Sequence, residues 1–142
     1  MLESVSPWRN RIRHTTASLA RLGKFMLVGG VGTLVNTGVL VVLYQHLHVA
    51  LVAASAIATE LAIANNFLWN NYWTFSRRTL SLHRFARFNM VSLGGQCITI
   101  VTLWVLVHHV GTYYVVANIT GIGLALTWNF VANVSWTWRP ER

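Results

Sequence analysis

The sequence predicts an all-α membrane protein: four transmembrane helices built from two hairpin repeats of the same orientation, with both termini cytoplasmic. Three observations predict it. First, only 10% of the 142 residues are charged and 54% are apolar, against roughly 25% charged in a soluble domain. That is too little charge to coat a surface facing water. Second, four stretches reach the ~20 apolar residues that a helix needs to cross a bilayer. Third, the 11 Lys and Arg all fall in segments that would share one side of that bilayer. A net charge of +8 can also signal nucleic acid, but that needs a soluble basic face, which this hydropathy excludes.

Residues 1–22 come first, a basic and amphipathic segment. Trp8, Ile12, Leu19 and Leu22 recur near helical spacing with Arg9, Arg13 and Arg21 between them. This reads either as a helix lying on the cytoplasmic leaflet or as a disordered basic tail. The first span is set at Phe25–Tyr44, longer than the ~7–15-residue apolar core of a signal peptide. The second is Ala50–Asn70, and the short connection before it makes the pair an antiparallel hairpin. Arg77, Arg78, Arg84 and Arg87 precede the third span, Asn89–Val107. Another short loop leads to the fourth, Tyr113–Asn133, and Arg139 and Arg142 follow in the tail, residues 139–142. The two remaining loops hold no Lys or Arg. The positive-inside rule therefore puts both chain ends in the cytoplasm, as in a multi-pass protein of the cytoplasmic (inner) membrane.

The two hairpins repeat each other at one constant, gapless offset. Arg21 answers to Arg84, Lys24 to Arg87, Phe25 to Phe88 and His46 to His109. Ala54, Leu61 and Ala62 answer to Ala117, Leu124 and Ala125. Asn66, Phe67, Asn70, Trp73 and Thr74 answer to Asn129, Phe130, Asn133, Trp136 and Thr137. Repeat one covers about residues 21–75 and repeat two about 84–138. Each has an even number of spans, so both enter the membrane in the same sense, related by a pseudo-two-fold axis along its normal. Cations and amides then converge twice at one depth.

The stretches "RLGKFMLVGGVGTLVN" and "NNFLWNNYWTF", with their weaker second copies, resemble the GtrA-like family of small four-span membrane proteins. The resemblance spans roughly residues 21–138 and places a family domain at 23–138. It implies a role in cell-surface polysaccharide synthesis, either flipping a polyprenyl-phosphate-linked sugar or assisting a polyprenyl-phosphate glycosyltransferase. Asn71 stands where a basic residue often follows the second Asn in the family pattern.

Arg21, Lys24, Arg84 and Arg87 are the candidates for holding the phosphate, since Arg grips it with paired hydrogen bonds and Lys as a point charge. Otherwise they set topology and touch anionic headgroups. Asn66, Asn70, Asn129 and Asn133 are candidates for lining a sugar path, or for joining helices by amide bonds. Glu60 is the only acid in any span, and a charge at that depth costs at least about 2.5–3.5 kcal/mol. Such groups mark a pathway or bond to a neighbouring helix for structure. Its repeat mate is Gly123, and the mate of Asn36 is Thr99. Glu60 and Asn36 are therefore expected close together inside the bundle, as a midplane polar step.

Other features point to no chemistry. The dense glycines Gly29, Gly30 and Gly32, Gly94 and Gly95, and Gly121 and Gly123 suit close helix packing. His46, His48, His108 and His109 fall in the far-side loops, and no metal or cofactor is assigned to them. Cys97 is the single cysteine, so no internal disulfide forms. No nucleophile–base set or carboxylate pair is present, so the chain is not expected to be an enzyme. The leading reading is a translocator of a polyprenyl-phosphate-linked sugar. The alternatives are a non-transporting anchor for a glycosyltransferase and a small proton-coupled cation exporter using Glu60. Four helices enclose little volume, so a homo-oligomer or a complex with a glycosyltransferase is expected.

Overall fold

The computed structural model describes the backbone of residues 7–139 and the side chains of residues 18–139. All regular structure among them is helical. The elements are α1 (Pro7–Val41), α2 (Leu51–Trp69), α3 (Leu82–His108) and α4 (Tyr114–Ala132). Three of them end in a wider π turn: Val42–His46 after α1, Asn70–Thr74 after α2 and Asn133–Thr137 after α4. Counting those turns, four apolar stretches are long enough to cross a membrane: Ser18–His46, Leu51–Thr74, Leu82–His108 and Tyr114–Thr137. The chain is a multi-pass membrane protein.

The first and third spans begin earlier than the apolar runs suggest. Arg21, Lys24, Arg84 and Arg87 sit inside the helices, because cations that reach interfacial water do not break a backbone. The basic N-terminal segment likewise flows into the span without a break, so α1 is about 52 Å long, against a hydrocarbon core of about 30 Å. The expected amphipathic face around Trp8 and Ile12, and the tail beyond Arg139, lie outside the described side chains. Ser81 caps α3, its hydroxyl accepting from the Arg84 N–H at 3.3 Å, which satisfies one orphan donor of the first turn.

Lipid is the solvent of the outer surface. No more than 28% of the most apolar stretch of any span is buried within the chain, and Leu34 and Val52 are 73% and 84% exposed. Inside each hairpin a stripe of small residues brings the helices together. Ala54, Ala58 and Ala62 form it on α2, and Ala117, Gly121 and Ala125 on α4, all buried. The contact is tight: a Cβ at Gly121 would stand 3.0 Å from the Thr99 carbonyl oxygen.

Packing is denser within each hairpin than between them. What joins the two is an aromatic cluster of Phe25, Phe67, Phe88 and Trp138 with Ile63. Phe75 stacks on Trp138 at 4.2 Å, and Phe25 meets Phe130 edge-on at 5.8 Å. The cluster lies at the end of the bundle where α1 and α3 carry their cations and α2 and α4 run out. We call this the cationic end.

Candidate functional site

Above the aromatic cluster, between the hairpins, lies a cleft of about 450 Å³ floored by Phe25 and Phe88. Its polar lining comes from all four helices: Thr33 and Asn36 from α1, Thr59 and Asn66 from α2, Ser92, Gln96 and Thr99 from α3, and Asn129 from α4. Asn70, in the turn that ends α2, completes it. Every one of these groups is a neutral amide or hydroxyl. Asn66 and Asn129 occupy matching places, each against a glycine of the facing helix, Gly32 and Gly95 respectively. A Cβ on either glycine would collide with the amide, so the missing side chain makes room for it. The Oδ1 atoms of both asparagines are buried without a hydrogen-bond partner. Buried acceptors left unpaired cost about 1–3 kcal/mol.

Asn133 is placed differently. It is fully buried beside the cleft, and neither amide atom finds a partner. Its counterpart Asn70 accepts from the Thr74 hydroxyl at 2.8 Å. Glu60 requires a correction. It does not line the cleft and does not meet Asn36. The Asn36 amide donates to the Thr59 hydroxyl at 3.3 Å, whereas Glu60 is exposed and accepts from the Asn89 amide at 2.7 Å. Successive helical residues are turned by about 100°, so Thr59 facing the cleft aims Glu60 at the seam between α2 and α3. There it ties the two hairpins together.

The cations are also partly committed. Lys24 Nζ donates to the Trp73 carbonyl at 3.4 Å and stands 5.4 Å from that indole's centre. Arg87 repeats this, donating to the Trp136 carbonyl at 3.2 Å and lying 5.5 Å from its ring. Each cation thus caps carbonyls that the end of its own hairpin leaves free and gains a cation–π contact. Arg84 donates to Asn71 Oδ1 at 2.8 Å and to the Thr79 carbonyl at 3.0 Å. Arg21 is exposed and lines a second cavity at the cationic end, of about 440 Å³, together with Arg77. The aromatic cluster separates the two cavities, with Phe25 and Phe88 facing one and Phe75 and Trp138 the other.

Sequence reasoning missed Thr33, Thr59, Ser92, Gln96 and Thr99. The signal was present: Ser92, Gln96 and Thr99 are four and three residues apart, one face of a helix. It was hidden because single hydroxyls and amides do little to lower the hydropathy of a span. Asn71 was read only as a departure from the family pattern, not for what it holds. Fully buried, it accepts from Arg84 and donates to the Thr79 carbonyl at 3.3 Å, holding the connection between α2 and α3 in place.

Two relatives show where such a chain occurs. The chain is 35% identical over 130 residues to a dolichol-phosphate mannosyltransferase of Pyrococcus furiosus, covering 90% of this chain but 36% of that protein's length. It is 29% identical over 116 residues to an uncharacterized membrane protein, YngA, of Bacillus subtilis, covering 81% of this chain and 77% of that one. Residues 24–138, nearly the whole membrane-spanning body, match the family model described as the GtrA/DPMS transmembrane domain, and the chain belongs to that family.

Proposed function

We propose that this protein translocates a polyprenyl-phosphate-linked sugar across the cytoplasmic membrane for cell-surface polysaccharide synthesis, with both chain ends in the cytoplasm. The observation that carries this reading is the cleft of neutral amides and hydroxyls set between two hairpins in a membrane domain. The Thr33, Ser92 and Thr99 hydroxyls bond back to carbonyls of their own helices, which leaves the amides of the lining as its groups for a polar occupant, and sugar hydroxyls both donate to and accept from amides. The relationship to a dolichol-phosphate mannosyltransferase supports a prenyl-linked sugar as the occupant. The prenyl chain stays in lipid, the sugar enters the cleft, and the phosphate waits at the cationic end. For the sugar to pass, the aromatic cluster between the two cavities must part. The proposal gives the chain no bond-making step of its own.

The test is reconstitution in liposomes with a labelled polyprenyl phosphohexose. Faster transbilayer movement than in empty liposomes, slowed by Asn66→Leu with Asn129→Leu, is the expected outcome. Equal rates with and without the protein would remove the proposal.

A second reading is favoured by the 36% coverage of the mannosyltransferase: the domain serves as a membrane partner of a glycosyltransferase. In that case the enzyme co-purifies with the chain, and cleft substitutions leave its activity unchanged. A cation exporter finds less support, since Glu60 stands outside the cleft and is bonded to Asn89.

A further inference from the structure

The second cavity, at the cationic end, breaks the symmetry of the repeat. In the second half Arg84 reaches across to Asn71 on the first hairpin. The repeat equivalent of Arg84 is Arg21, and that of Asn71 is Val134. Arg21 and Val134 do face the same space, but a valine accepts no hydrogen bond. Arg21 makes no hydrogen bond or ion pair with the described residues. Instead of a closed amide–guanidinium contact there is a cavity of about 440 Å³, lined by Arg21, Thr74, Phe75, Ser76, Arg77, Val134 and Trp138. Arg77 enters from the connection after α2, spending Nη2 on the Trp138 carbonyl at 3.0 Å. The rest of its five-donor fork remains.

Resting on the proposed function and deepening it, we infer that this cavity, and not the repeat-related Lys24 and Arg87, is the subsite for the phosphodiester of the lipid-linked substrate. Two guanidiniums border it, one of them free. A monoanionic phosphodiester offers oxygens to both, and Arg is suited to bidentate contact with them. The Ser76 hydroxyl is a further donor on the rim. Val134 and the Phe75–Trp138 stack supply an apolar wall for the first carbons of a prenyl chain. Lys24 and Arg87 do not line this cavity, and each lies over an indole, Trp73 and Trp136 respectively. The same chemistry would accept a phospholipid headgroup or free phosphate, and competition separates these sources.

The experiment measures binding of a fluorescent short-chain polyprenyl phosphohexose to the full chain in phosphatidylcholine nanodiscs. Arg21→Gln should weaken binding about tenfold, the loss expected when one charged hydrogen-bonding group goes. Val134→Asn keeps every charge and restores the amide that Arg84 enjoys on the other side. It should occupy Arg21, weaken binding by a similar factor and leave the folded chain no less heat-resistant. Lys24→Gln and Arg87→Gln should change binding less than about threefold. If Arg21→Gln and Val134→Asn both bind like the parent while Lys24→Gln or Arg87→Gln binds weakly, the subsite is overturned and the translocator reading stands. If phosphatidylglycerol or inorganic phosphate competes as well as the sugar lipid, and Arg21→Gln abolishes that competition, the cavity is an anion site. Its assignment to the substrate is then overturned, and with it the support it lends to translocation.

Discussion

Asn71 marks what a single residue does here. It occupies a position where a cation would be no surprise, yet it is completely buried. It serves the Arg84 guanidinium at 2.8 Å, the Trp138 indole N–H at 3.4 Å and the Thr79 carbonyl at 3.3 Å. Replacing it by Leu leaves the buried Trp138 indole N–H without its partner, while Arg84 and the Thr79 carbonyl keep each other at 3.0 Å; a stranded polar group costs about 1–3 kcal/mol. The predicted loss is about 1–3 kcal/mol, read as a lower thermal midpoint in detergent. Gly32 makes a contrasting prediction. Gly32→Ala pushes the Asn66 amide out of its place but disturbs only the end of one side chain. Stability should fall by no more than about 1 kcal/mol, while sugar-lipid translocation should drop several-fold. A fall in stability with transport intact would show that Asn66 is helix glue rather than cleft lining. The four asparagines were legible in the sequence because amides are conspicuous in a span. Their different fates were not, because which amide finds a partner depends on the neighbouring helix.

At the scale of elements, the hairpins are held by small residues in register. Gly121 and Gly123 lie two apart on α4 and look alike in sequence, but only one is in the contact. Gly121→Ala places a methyl 3.0 Å from the Thr99 carbonyl oxygen and 3.2 Å from its Cα, whereas Gly123→Ala meets nothing within 4 Å. Overpacking against backbone costs about 1–3 kcal/mol, so the first variant should be clearly less stable and the second neutral in the same unfolding assay. The ends of α2 and α4 are elements in their own right. Both widen into a π turn, at Asn70–Thr74 and Asn133–Thr137, places where helices often carry function. The repeated asparagines and Thr-aromatic endings were visible in the sequence. The wider turn was not, because the hydrogen-bond register of a helix end is chosen by what caps it. The far loops share a left-handed residue in the same place, Gly111 and His48. Glycine takes that conformation freely and histidine at a cost, so His48→Gly should be neutral or slightly stabilising.

For the whole molecule, the aromatic cluster clamps the hairpins at the cationic end, and the Glu60–Asn89 bond ties them further in. If transport requires the hairpins to part at the α2–α3 seam, cross-linking there should stop it. With Cys97 first changed to Ser, a Glu60→Cys/Asn89→Cys chain should transport when reduced and stall when bridged by a short bifunctional thiol reagent. Undiminished transport after bridging would place the motion elsewhere. Topology is open to a similar check. A membrane-impermeant thiol reagent applied outside intact cells should label Gly111→Cys and spare Arg78→Cys.

The sequence alone determined the solvent of this protein and the number of its spans, and it raised the expectation of two like halves. Those follow from quantities that add along the chain: hydropathy over about 20 residues, the positions of 11 cations, and one constant offset between like residues. Only the tertiary structure decided the rest. It turned Glu60 to the seam and Thr59 to the cleft, committed Lys24 and Arg87 to carbonyls, and left Arg21 facing Val134 where its twin faces an amide. The reason is physical: rotation of a helix about its axis and the choice of hydrogen-bond partner cost only a few kcal/mol each. They are set by the packing of residues distant in the chain, which no local pattern records.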